Sequence, residues 1–109
     1  MNPRPDVVRL DDINYAITKI IDFKDSFYLY ERDEYLRTVF FDAILYNLVI
    51  IGEAVRNLSH ATRSKISFEK WNEVVGLRNH LVHKYGSVDR EMILAILNEG
   101  LFELKEALE

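Results

Sequence analysis

Arg78-Asn79-His80-Leu81-Val82-His83-Lys84-Tyr85 sets an arginine, a histidine and a tyrosine at the spacing Arg-x4-His-x-Tyr. An arginine fork can grip a phosphate, and an imidazole can carry a proton near neutral pH. A tyrosine hydroxyl offers an oxygen that can be modified. Together the three residue types point to chemistry on a phosphodiester.

Their placement on a helix adds detail. At about 100° per residue, Trp71, Val74, Val75, Leu77, Leu81 and Val82 share one apolar arc. Arg78 falls within that arc and Tyr85 beside it. Arginine is almost never fully buried alone, so Arg78 needs a partner, and Glu53 is the obvious carboxylate. A structural ion pair therefore stands beside phosphate binding as the role of Arg78. Asn79, His80 and His83 lie on a neighbouring polar arc. His83 is roughly 140° from Arg78, so a straight helix does not bring the two together. A distortion near His83 would have to do so, or a second subunit.

The other chemical options are weaker. His80 and His83 stand three residues apart, but no third ligand is near in sequence and His60 is remote, which argues against a metal site. Packing is the plainer role for a tyrosine at a helix end such as Tyr85. Gly52, Gly76, Gly86 and Gly100 stand isolated, so no glycine-rich phosphate loop exists. The chain is therefore expected to be neither a nucleotide-driven motor nor a nucleotidyltransferase. No cofactor is implied.

Four helices are expected to position these residues. The first runs from about Asp6, as N-cap, to Tyr28, with Leu10, Ile13, Ile17, Ile20, Ile21 and Phe27 at helical spacing. Residues 30–33 form the connection. The second runs from about Tyr35 to Leu58, with Phe41, Ile44, Leu48, Ile51, Val55 and Leu58 on its contact stripe. Ala43, Val49, Ile50 and Ala54 make its other faces apolar, which marks a central helix or one shared with a second copy. Gly52 on the stripe would let another backbone come close. Residues 59–67 read as a loop with at most one short turn. Ser67 suits an N-cap for the motif helix, Phe68 to Tyr85, and Gly86 suits a left-handed C-cap. Ser87 or Asp89 caps the last helix, which carries Ile93, Ile96, Leu97, Leu101, Leu104 and Leu108. The expectation is an all-α, up-down four-helix bundle in a single domain over residues 1–109. A homodimer would bury the surplus apolar face.

Composition narrows the class. No apolar run reaches the roughly 18 residues that span a bilayer, and Pro3, Pro5 and Asp6 are unlike a signal peptide. The absence of cysteine fits a reducing cytoplasm. A net charge of −4 argues against coating nucleic acid by bulk electrostatics. A local patch from Arg63, Lys65, Lys84 and Arg90 stays open.

Ile50-Ile51-Gly52-Glu53-Ala54, Trp71 to Asn79, Leu81-Val82-His83-Lys84-Tyr85 and Val88-Asp89 together resemble the HepT-like branch of the HEPN superfamily. That resemblance covers nearly the whole chain. It implies a small all-helical, HEPN-like ribonuclease toxin that cuts RNA without a metal, at a composite site in a homodimer cleft. Arg78 and His83 would be the catalytic pair, with Asn79 and Glu53 in support. The resemblance also implies an antitoxin of the MNT nucleotidyltransferase type, which would silence the nuclease by AMP transfer to Tyr85, in a type II or type VII-like toxin–antitoxin pair. The alternative is a non-catalytic helical dimer that binds and regulates a neighbouring nucleotidyltransferase.

Overall fold

The computed structural model describes residues 5–109, the side chain of Tyr85 excepted; Pro3 lies outside these. Among the described residues the regular elements are all helical. They are α1 (Asp6–Leu29), α2 (Glu34–Asn57), α3 (His60–Lys65), α4 (Trp71–His83) and α5 (Arg90–Ala107), with a 3-10 turn at Tyr85–Ser87.

Helix α2 is the axis of the fold. Its expected stripe (Phe41, Ile44, Leu48, Ile51, Val55 and Leu58) is buried throughout. Against it α1 supplies Ile13, Ala16, Ile17, Ile20 and Phe27, α4 supplies Trp71 and Leu81, and α5 supplies Ile93, Leu97, Leu101 and Leu104. Each of the buried Leu, Ile, Val and Phe side chains withdrawn from water stabilises the fold by about 1.5–3 kcal/mol. Packing of these stripes, rather than helix propensity, holds the helices together.

The apolar reach of α2 corrects the sequence reading. Its 24 residues are long and apolar enough to cross a bilayer by those measures alone, yet half of its most apolar window is buried inside the fold. Val39 and Tyr46 stay exposed on its outer face.

Several boundaries also move. Asp6 is the first residue of α1, whose N-cap is Pro5. Its carboxylate instead reaches across the chain, accepting from the Ser59 hydroxyl at 2.5 Å, the Thr62 hydroxyl at 2.5 Å and the Ser59 N–H at 3.3 Å. Those donors hold the Asp6 carboxyl below its ordinary pKa of 3.8. Ser59 in turn caps α3 by accepting from the Thr62 N–H at 3.1 Å, so the expected loop contains a true six-residue helix.

Helix α4 begins later and ends earlier than its pattern implies. Ser67 does not cap it; the N-cap is Lys70, with no side-chain bond. Phe68 lies outside the helix and packs edge-on against Trp71, ring centroids 4.7 Å apart. At the other end Lys84 leaves helical geometry (φ −125°, ψ 29°). Gly86 lies in the 3-10 turn without a positive φ, so no left-handed glycine closes α4. Asp89 caps α5, accepting from the Glu91 and Met92 N–H groups.

Candidate active site

Gly52 places the arginine. A Cβ built on Gly52 would stand 2.2 Å from the Arg78 Cβ and 2.7 Å from its Cγ, nearer than atoms can approach. Only the missing side chain lets α4 lie this close to α2 with an arginine at the crossing. The apolar stem of Arg78 therefore lies over α2 and its guanidinium reaches past the crossing, which reconciles a charged residue with an apolar arc.

The guanidinium meets acceptors from both helices. Arg78 Nη2 lies 3.0 Å from Glu53 Oε2, and Nη1 donates to Asn79 Oδ1 at 3.0 Å. The Arg78 side chain is 19% exposed and that of Glu53 47%. Glu53 Oε2 has no well-directed hydrogen bond, so the contact with Arg78 is a close charge pairing. Asn57 steadies the carboxylate, donating to Glu53 Oε1 at 3.1 Å and to the Glu53 carbonyl at 2.8 Å. The sequence reading missed Asn57; its signal was the four-residue spacing from Glu53 on one helix face.

Arg78 keeps capacity for a further acceptor. A guanidinium carries five N–H donors. Two face Glu53 and Asn79, while Nε is buried without a partner. The second N–H on each terminal nitrogen has no hydrogen-bond partner among the described residues.

His83, the last residue of α4, is exposed, as are Asn79 and His80. Among the described residues no hydrogen bond or ion pair joins His83 to Arg78, and five residues apart on α4 they lie roughly 140° around the helix from each other. Val82, counted on the apolar arc, is 46% exposed. The side chain of Tyr85 lies outside the described residues; its backbone opens the 3-10 turn just after His83. Among the described residues no three His, Asp or Glu side chains gather as metal ligands.

The expected basic patch is largely committed elsewhere. Arg63 donates to the Val55 carbonyl at 2.5 Å and closes the end of α2, and Arg90 bonds Glu34 and Thr38. Lys65 and Lys84 stay exposed. A cavity between Leu48, Ile51, Val74, Leu77, Leu97 and Leu101 is largely apolar and takes in none of the motif's polar groups.

The described residues thus form an all-helical fold with an arginine–carboxylate pair at a glycine crossing. The chain belongs to the ribonuclease HepT-like family, whose model matches residues 14–109. It is similar to "Putative RNase MJ1380" of Methanocaldococcus jannaschii, 39% identical over 67 residues, a match spanning 62% of each protein. It is also similar to "Putative RNase TTE0752" of Caldanaerobacter subterraneus subsp. tengcongensis, 32% identical over 107 residues, covering 95% of this chain and 88% of that one. The chain thus spans less than two thirds of the first of these relatives. No solved structure matches it.

Proposed function

We propose that the protein is a metal-independent endoribonuclease of the toxin type, acting on RNA in the cytoplasm at a site shared by two copies of the chain. The observation that carries this reading is Arg78, seated over Gly52 with Glu53 and Asn79 orienting a guanidinium that keeps two free N–H donors. In an RNA strand the 2′-hydroxyl beside the scissile phosphate is the nucleophile, so no metal-bound water is needed. His83 removes or returns the proton, and Arg78 stabilises charge developing on the phosphate. The products are a 2′,3′-cyclic phosphate and a 5′-hydroxyl.

The separation of His83 from Arg78 within one chain supports a composite site. Tyr35, Val39 and Tyr46 are exposed along one stripe of α2, with Val49 and Ile50 half-buried beside it. A two-fold contact over this stripe would cover it and set motif residues from both copies across one cleft, the four long helices running up and down within each single-domain protomer. An MNT-type nucleotidyltransferase is the partner in this reading, and AMP on Tyr85 is the off-state. The added phosphate would occupy the Arg78 site by the same charge pairing that holds RNA.

Digestion of RNA by the purified protein in excess EDTA tests the mechanism. Cleavage leaving cyclic phosphate ends is expected, and loss of all cleavage in chelator would refute it. A second reading draws on the occupied fork of Arg78, already paired in charge with Glu53 and bonded to Asn79. There the chain is a non-catalytic dimer that regulates a nucleotidyltransferase. Harmless expression of the chain alone, with Arg78→Ala and His83→Ala indistinguishable from the parent, would favour that reading.

A further inference from the structure

Two arginines fasten the motif region to α2, one on each side of the segment that follows His83. Arg78 lies over Gly52 and against Glu53, near the end of α2. Arg90, the first residue of α5, returns to the start of α2: Nη1 donates to Glu34 Oε1 at 2.8 Å and Nη2 to Thr38 Oγ1 at 2.8 Å. Its guanidinium also lies over the Phe41 ring, 5.4 Å from the centroid. The chain thus descends α2 as it passes from α4 to α5.

The segment between has little else to place it. Lys84 N–H donates to the His80 carbonyl, and the Ser87 N–H and hydroxyl both donate to the Lys84 carbonyl. Among the described residues no hydrogen bond ties residues 84–89 to α1 or α2. Only Val88 packs, half-buried, against the core.

We infer that Arg90, held by Glu34 and Thr38, is a positioning residue that sets where the segment after His83 lies, and through it the aim of His83. A surface ion pair adds little to stability, and Glu34 is 68% exposed here. One guanidinium bonded to two separate acceptors over an aromatic ring does fix orientation. Geometry, not stability, is what this clasp supplies. The inference rests on the ribonuclease reading for its catalytic consequence, while the clasp itself is read independently.

Arg90→Gln and Arg90→Lys, compared with the parent by RNA cleavage and by trypsin nicking after Lys84, test it. Arg90→Gln should lower kcat about tenfold or more with KM little changed, because a displaced catalytic group slows the step without weakening binding. Trypsin should cut after Lys84 faster, while helical content by circular dichroism stays at the parent's level. Arg90→Lys, which keeps the charge but not the fork, should fall between the two. Parental kcat and parental nicking in Arg90→Gln would overturn the inference. So would a rise in KM alone, which would make Arg90 an RNA contact. If the parent itself cuts no RNA, the ribonuclease reading fails, and the nicking rates alone decide for or against the clasp.

Discussion

At the scale of single residues, the motif was readable as chemistry, but its wiring was not. Arg78 could be paired with Glu53 in advance because a charge on an apolar arc demands a carboxylate, and the two meet at 3.0 Å. Asn57 and Thr38 went unassigned because neutral polar residues leave no imprint on a hydrophobic pattern. Arg78→Ala should lower cleavage by about 10²–10³, as expected when a group that stabilises charge is removed. His83→Ala should cost about 10²–10⁴, the range for a proton-transferring group. Both are read by single-turnover cleavage of a labelled RNA, and both variants should fold. Asp6 gives a prediction in pH. Its carboxyl is held below 3.8 by Ser59 and Thr62, so its stabilising effect is complete above that value and is lost as pH falls below it through the lower pKa of the folded state. Melting curves should show a smaller drop on acidification below pH 4 for Asp6→Asn than for the parent.

At the scale of elements, the helices declared themselves by period while their ends did not. Five buried positions on α2 and its C-cap Leu58 follow the three-four alternation without a break. Its neighbour α4 lost residues at both ends, because Phe68 packs on Trp71 from outside the helix and Lys84 departs from helical angles. The short α3 was missed since Ala61 is the one apolar residue among its six and makes no stripe; only its Ser59 cap marks it. Two glycines on facing helices should respond oppositely to the same change. Gly52→Ala forces a Cβ into Arg78 and should destabilise by about 1–3 kcal/mol, moving α4 and reducing cleavage together. Gly76 is exposed in α4 with nothing within 4 Å of a new Cβ. Gly76→Ala should therefore raise the melting temperature, by up to about 1 kcal/mol of helix stability. Differential scanning calorimetry on the pair distinguishes crowding from propensity.

At the scale of the molecule, the exposed stripe of α2 is the face over which the proposed dimer would form. Tyr46, 66% exposed at its middle, is the position to disturb. Tyr46→Glu should shift sedimentation from dimer to monomer at micromolar concentration and abolish cleavage with helical content unchanged. A parent that sediments as a stable monomer would refute the composite site. The apolar excess of the second helix was legible in sequence, whereas the face that stays uncovered was not, since that depends on where α1, α4 and α5 dock. The link from Asp6 to Ser59 and Thr62 bears on how the protein is made. It ties the start of α1 to the segment just beyond α2, joining residues more than fifty apart. The helix pair and its clasp lie wholly within residues 6–62, ahead of the motif in order of synthesis. In order of synthesis that platform emerges before α4 and α5. Gly52 and Glu53 therefore leave the ribosome before Arg78, and the residue that lies over them is added to a helix pair already synthesised.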